Sequence, residues 1–437
     1  MLSCPELLSP AGSLEALKYA VMYGADAVYC ALPRFGMRAA PVNLTIGELH
    51  DGCIFAHARG KKVYLTLNNL PTNDELSELP QYIKDAAEAG VDAFIIADLG
   101  VLRLAKQYAP DVDVHFSTQA GITNYAAATM AYNLGAKRVV LARELSLTDI
   151  AQIRDNTPPE LELEAFVHGA MCMAYSGRCL ISDHLAGRGA NVGHCAQPCR
   201  WKYALVEETR LGQYFPVEQD DRGSFIMSSN DMNMLSHLQE LADAGVNSVK
   251  IEGRAKGAYY VASTVNAYRH VLDGASADAW QAELETTSHR PYSTGFYFGD
   301  PGQNQGTVEY ARSHQMVARV LGCAAEGDAL FRAEVLCRNR FFEGEELEVI
   351  SPDADVRTVR VENLRWHAAP ETDLSDIERD GIGRLVGPDP SCEGGTLVAV
   401  GVANRTMERY SFTVPFELHE RDILRIRRAG QDVGRVL

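Results

Sequence analysis

Five times within residues 1–254 a helix-like stretch closes on glycine and an apolar run follows at once: "YAVMYGADAVYC", "AHARGKKVYLTLNN", "DAAEAGVDAFIIAD", "AYNLGAKRVVLAR" and "ELADAGVNSVKIEG". Glycine takes the left-handed conformation that ends a helix, and a strand buried on both faces reads as an unbroken apolar run. Gly24, Gly60, Gly90, Gly135 and Gly245 therefore mark helix-to-strand joints in a parallel sheet. The apolar runs number eight: "PELLS", "DAVYC", "KVYLTL", "DAFIIA", "DVHFS", "RVVLA", "LEAFV" and "SVKIE". Eight such strands in residues 1–275 predict an α/β chain built on a (β/α)8 TIM-type barrel. A doubly wound open sheet is the alternative, but no glycine-rich phosphate loop follows the first run.

One joint breaks the rhythm. Between "LEAFV" and "MLSHLQELADAG" lies an insertion at about residues 169–230, and insertions that follow a strand open on the C-terminal face, where barrels build their active sites. It carries Cys172, Cys179, Cys195 and Cys199, with gaps of six, fifteen and three residues. Four gathered thiolates repel unless a cation shares their charge. Structural zinc takes paired C-x2-4-C knuckles, which only Cys195 and Cys199 approach, whereas iron-sulfur ligation tolerates irregular spacing. Spacing alone ranks iron-sulfur ahead of zinc, with buried or redox-labile thiols as a third reading. "YALVEE", "RLGQYFPVEQDDRGS" and "FIMSS" read as a hairpin within the insertion.

Strand ends supply the remaining candidates: Asn68, Asp98, Gln119, Arg143, Glu144, His168, Glu252 and Arg254. Two arginines facing one cavity suit a dicarboxylate or phosphate, because guanidinium binds planar oxyanions bidentately. The same arginines can instead pair with Glu144 and Glu252 to close the barrel rim. His168 can serve as acid, base, donor to a cluster ligand, or structural histidine. "HFSTQAG" holds Ser117 without a nucleophile elbow and no HExxH occurs, so motifs lend a protease reading no support.

Residues 276–309 read as a linker packing back on the barrel. From about 310 to 437 short strands such as "QMVARVL", "LFRAEVL" and "DILRIRR" replace helical periodicity and predict a C-terminal small all-β domain, a small β-barrel or sandwich. The formal charge of -17 opposes general nucleic-acid affinity, so an RNA substrate needs a local basic patch. Arg338, Arg340, Arg425, Arg427 and Arg428 are candidates for one, with solvated strand faces as the simpler account. Ten cysteines in 437 residues fall short of a disulfide scaffold. With no leader-like start and no membrane-length apolar run, a cytoplasmic protein without membrane contact is expected.

The stretches "EAFVHGAMCMAYSGRCLIS" and "CRWKY" resemble peptidase family U32, long called collagenase-like proteases. The resemblance continues in "PELLSPAGSLEALKYAVMYGADAVY", "STQAGITN", "VVLARELSL" and "VKIEGR". It implies an oxygen-independent hydroxylase of a tRNA wobble uridine, a ribosomal RNA cytidine or a ubiquinone precursor, with a 4Fe-4S cluster and prephenate as oxygen source. Carried onto this chain, Cys172, Cys179, Cys195 and Cys199 would be the cluster ligands. Arg143 and Arg254 would bind the prephenate dicarboxylate, with His168, Asn68, Gln119 and Glu252 as catalytic candidates. Chain length and the added β domain resemble the branch that forms 5-hydroxyuridine in tRNA. The alternatives are a collagenase-like peptidase, a hydroxylase of another RNA or small molecule, and a zinc-stabilised RNA-binding protein.

Overall fold

The structure, a computed structural model, describes residues 4–36, 43–171, 179, 181–188, 194–198, 201, 204–205, 215–216, 229–299, 301, 311–327, 329–352, 354–372, 374 and 383–428. Two compact units divide the chain, Met1–Ala311 and Arg312–Leu437.

The first unit alternates β1 (Glu6–Pro10), α1 (Leu14–Met22), β2 (Ala27–Cys30), α2 (Ile46–His57), β3 (Lys62–Leu67), α3 (Leu79–Glu88), β4 (Ala93–Ile96), α4 (Leu99–Tyr108) and β5 (Asp113–Phe116). It continues with α5 (Tyr125–Asn133), β6 (Arg138–Val140), α6 (Leu147–Asp155) and β7 (Glu162–Ala170). Beyond the insertion come β10 (Asp231–Asn233), α8 (Leu238–Asp243), β11 (Ser248–Ile251), α9 (Ala258–Leu272), α10 (Ala277–Leu284) and β12 (Tyr292–Ser293). Inside the insertion are α7 (Ile181–Ala186) and a short antiparallel pair, β8 (Ala204–Leu205) with β9 (Phe215–Pro216), where the sequence suggests a hairpin.

Strands β1 to β7 pair in chain order, all parallel, and β11 pairs in parallel with both β1 and β7, so the eight strands close into a barrel. These are the eight apolar runs of the sequence. Helices start where side chains satisfy the free amides of the first turn: Ser13, Thr45, Asp98, Asn124 and Ser146 each accept one. α1, α2 and α5 stop at predicted glycines, as at Gly60 (φ 67°), where an L side chain would be strained, whereas α4 and α6 end at Ala109 and Asn156.

The barrel interior is partly ionic. Strand alternation points Glu6, Arg138, Glu164 and Lys250 inward, at the N-terminal half of the barrel. Arg138 donates to Glu6 at 2.6 Å, to Glu162 at 2.6 Å and to Glu164 at 3.1 Å, and Lys250 reaches Glu164 at 2.9 Å. Burial opposes ionisation of Glu6, but donors from Arg138, Tyr64 and Ser248 outweigh it and hold the carboxyl below its ordinary range.

One strand does double duty. β7 is nine residues long, and its last part, His168 to Ala170, projects past the barrel to pair antiparallel with β10, which in turn pairs in parallel with β12. Residues after α9 thus add a strand to the barrel sheet.

The second unit is antiparallel throughout. Its strands are β13 (His314–Ala325), β14 (Phe331–Cys337), β15 (Phe341–Phe342), β16 (Glu346–Ser351), β17 (Ala354–Arg360), β18 (Glu362–Ala368), β19 (Gly383–Pro388), β20 (Thr396–Val400), β21 (Val402–Ala403), β22 (Arg409–Val414) and β23 (Ile423–Arg427). Nine of them form one sheet in the order β17-β16-β23-β13-β14-β22-β18-β20-β19, and β15 pairs with β21. Among the described residues no ladder joins β17 to β19, so the ring of a closed barrel is not completed. Val335, Trp366, Tyr410 and Phe412 belong to its apolar core. Arg425 is a correction to the basic patch: it is 3% exposed and donates to Glu348, its cross-strand partner on β16, at 2.7 Å, so its charge is covered and paired.

Candidate active site at the barrel mouth

The strand-end candidates resolve into small groups with different duties. Asn68, after β3, donates to Ser117 Oγ at 3.2 Å, and that hydroxyl accepts the Gln119 amide at 3.2 Å. Gln119 itself lies in a single 3-10 turn after β5. Asp98 caps α4 by accepting the Val101 amide at 3.0 Å, which explains it without chemistry. Glu144 is half-buried, and desolvation raises its carboxyl despite nearby amides and Arg143.

Arg143 is held on three sides. Its guanidinium lies 3.8 Å from the Phe166 ring centre, one nitrogen donates to the Ala170 carbonyl at 2.6 Å, and another meets Glu252 at 3.1 Å. Its Nε is buried and has no hydrogen-bond partner. The Arg143–Glu252 pairing is the rim closure weighed from the sequence, and it leaves the donor fork largely committed. Arg254, 4% exposed, donates to Thr66 at 2.8 Å and so reaches from the end of β11 to β3.

The β7–β11 register shifts after Phe166, so His168 pairs with Ile251 and turns away from the barrel interior toward α9 and β12, with the rings of Tyr260, Tyr268 and Tyr292 5.5–6.0 Å away. Burial pushes its imidazole down to about 3, a shift that the Asp231 carboxylate opposes and that His289 and Lys256 assist. The ring is therefore neutral near pH 7 and acts as a hydrogen-bonding group there, not as an imidazolium acid. A folded-state value below the unfolded one means the unfolded chain binds the extra proton. Stability is accordingly lost as pH falls from roughly 6.5 toward 3, by up to about 1.4 kcal/mol per pH unit. Thermal midpoints of wild type and His168→Asn between pH 4.5 and 7.5 should show a shallower acid decline in the variant, and parallel curves would refute the assignment.

Sequence reasoning missed Asp231 and Arg290. They form a buried ion pair, with Arg290 Nε and Nη2 both donating to Asp231 Oδ1, at 3.1 and 2.9 Å. Arg290 lies in the segment read as a linker. The aromatic-rich "HRPYSTGFYF" was the available signal, since a solvated linker has little use for so many rings.

Cys172 and Cys199 lie outside the described residues. Cys179 is half-buried and Cys195 exposed, and both are free thiols in the segment that leaves the end of β7. Unpaired thiols on an insertion at a barrel mouth are the donor set a cluster or zinc ion would use.

A Ser-His-Asp relay does stand in the second unit. His367 Nδ1 lies 2.9 Å from Asp389 and its Nε2 3.0 Å from Ser411 Oγ. Ser411 sits mid-strand in β22, 2% exposed, between ladders to β14 and β18. A peptide carbonyl cannot reach that hydroxyl, so the relay ties strands together and provides no nucleophile.

Fold and mouth together define a (β/α)8-barrel protein whose polar C-terminal face carries a cysteine-bearing insertion. The chain belongs to peptidase family U32: the family model matches residues 12–307, and the model for the family's C-terminal domain matches residues 312–388. It is similar to tRNA hydroxylation protein P of Escherichia coli, 36% identical over 416 residues, which cover 84% of this chain and 91% of that protein. With tRNA hydroxylation protein P1 of Bacillus subtilis it shares 36% identity over 371 residues, 82% of this chain and 86% of that one. With a Porphyromonas gingivalis protein named collagenase it shares 30% over 389 residues, 83% and 90% of the two chains. No described helix is long and apolar enough to cross a membrane.

Proposed function

We propose that this chain is an RNA-modifying hydroxylase acting on tRNA, replacing the C5 hydrogen of a wobble uridine by hydroxyl without molecular oxygen. The observation that carries the reading is similarity to the two tRNA hydroxylation proteins, at 36% identity over 84% and 82% of this chain and about nine-tenths of their lengths. In this reading Cys172, Cys179, Cys195 and Cys199 hold a 4Fe-4S cluster, and prephenate supplies the oxygen atom. Replacing C5–H by C5–OH removes two electrons from the pyrimidine, and in this reading prephenate, as it gives up an oxygen atom, is the two-electron acceptor. A bound cluster would supply one-electron transfer between the two.

The chain's own residues then bind, orient and exclude water. Among the described residues Arg254 and Arg143 are cations at the mouth suited to a dicarboxylate; the ligand would compete with Thr66 for Arg254 and with Glu252 for Arg143. Asn68, Ser117 and Gln119 present amide and hydroxyl groups suited to a pyrimidine edge. His168 stays neutral and packed behind the mouth against α9 and β12, which fixes the end of β7 from which the cysteine insertion leaves.

Nucleoside mass spectrometry of tRNA from a strain lacking this chain is expected to show loss of 5-hydroxyuridine, restored by the wild-type gene. Intact tRNA nucleosides with a changed ribosomal RNA would move the reading to another RNA. Unchanged RNA together with collagen cleavage by the purified protein would replace it with the peptidase reading.

A further inference from the structure

The cysteine insertion leaves the barrel at Met171 and returns at Ser229, and the described residues at those two points are joined. Ser229 Oγ donates to the Met171 carbonyl at 2.9 Å. Two residues on, Asp231 pairs with Ala170 in the β7–β10 ladder, and Asn233 pairs with His168. Arg143 holds the Ala170 carbonyl from the other side at 2.6 Å. Gly169 (φ 98°) makes the close approach possible, since a Cβ there would stand 2.6 Å from the Glu252 carbonyl oxygen.

Arg290 joins these contacts from outside the barrel's eight strands. Besides its two side-chain bonds to Asp231, its amide donates to the other carboxylate oxygen at 3.1 Å, and Nη2 lies 3.5 Å from Ser229 Oγ. The Asp231 amide donates back to the Pro291 carbonyl at 3.0 Å. Arg290 is 2% exposed and Asp231 4%. A buried ion pair is a poor way to gain stability, because desolvation cancels much of its attraction; its better-attested use is to select one geometry. Here the geometry selected is that of the stem from which the cysteines hang, and Cys172 follows Met171 directly.

We infer that Arg290 is a positioning residue for the cysteine loop: through Asp231 and Ser229 it fixes the two ends of the insertion, Met171 and Ser229, in one register, and Cys172 follows the first of them directly. This rests on the cluster reading above. It also makes the segment after α9 part of the site, since a chain ending near residue 275 would keep all eight strands and all four cysteines yet lack the clamp. Closing a long loop in advance removes part of the entropy cost of gathering four ligands, and a fork of donors does this where a lysine point charge does not.

The test uses the full chain, with Arg290→Gln and Arg290→Lys compared to wild type after anaerobic reconstitution with iron and sulfide. Circular dichroism melts report whether the barrel is intact. Three further readouts follow: iron and acid-labile sulfide per chain, the rate of iron loss to a chelator, and the cluster's midpoint potential. Release to the chelator is expected at least tenfold faster in Arg290→Gln and intermediate in Arg290→Lys, with a shifted potential in the fraction that remains loaded. Wild-type release and potential in both variants would overturn the inference while leaving the cluster in place. So would iron loss that merely tracks the unfolded fraction in the melts. Wild-type protein that takes up no iron and sulfide would instead overturn the cluster, and the inference with it.

Discussion

Serine in place of Cys179 or Cys195 is expected to strip most of the iron and sulfide from anaerobically purified protein and to abolish the hydroxylated nucleoside with it. A cluster is held by thiolates, and a serine hydroxyl stays protonated near pH 7 and is a harder, weaker donor to iron. The two side chains are free thiols with partial or full access to solvent, as a ligand that must meet incoming iron requires. The chain contains its own controls. Burial pushes the thiols of Cys30 and Cys53 up to about 12 and that of Cys337 to about 11, so these three remain protonated and inert. Cys337→Ala should therefore leave iron per chain unchanged while Cys179→Ser drops it several-fold. Full iron content in Cys179→Ser would remove this residue from the ligand set, and stoichiometric zinc without sulfide would replace the cluster altogether.

The second large effect is on stability. Arg138→Met should destabilise the barrel unit by about 3–5 kcal/mol, the usual result of removing one partner from a buried ionic network. The melting midpoint should fall by on the order of 10 °C. Glu164 is fully buried and would keep Lys250 as its cation, while Glu6 would keep only hydroxyl donors. The pH dependence should also change sign. In wild type the Glu6 carboxyl sits below its ordinary value, so its contribution is present above the unfolded value near 4.3 and is lost as pH falls further. Without Arg138, burial dominates and raises the folded-state value, so mild acid protonates the carboxyl and restores part of the loss. Denaturant titrations of both proteins from pH 4.5 to 7.5 decide this, and parallel curves for wild type and variant would show that the network is not what holds the barrel interior.

The barrel was legible because its signals are local. A short apolar run, in five cases just after a glycine, is visible without knowing what it packs against, and all eight runs are barrel strands. The ionic interior is not local. Glu164 and Arg138 lie in runs that read as apolar, and only the alternation in "ELEAF", which sends Glu162, Glu164 and Phe166 to one face, hints that the inward side is polar. The register shift after Phe166, which turns His168 to the other face, has no signal in the sequence. The mouth was half legible for the same reason. Strand ends could be named, but Arg143 and Glu252 are 109 residues apart, and Asp231 and Arg290 are 59 apart. Nothing in either neighbourhood announces the other. Asp98 shows the opposite failure, a strand-end carboxylate whose work is to cap the next helix.

The late position of Arg290 has a consequence for how the protein must be made. It follows Cys199 by 91 positions in the chain. At synthesis rates of roughly 5–20 residues per second, the four thiols therefore leave the ribosome roughly 5–18 s before the residue that clamps their stem. Strand β11, which closes the barrel, also arrives after them. During that interval the cysteines hang from an open chain, exposed to oxidants and to stray metal. On the cluster reading, iron delivery belongs after translation, and oxygen present during synthesis is expected to lower the iron content of purified protein more than the same exposure of the finished barrel.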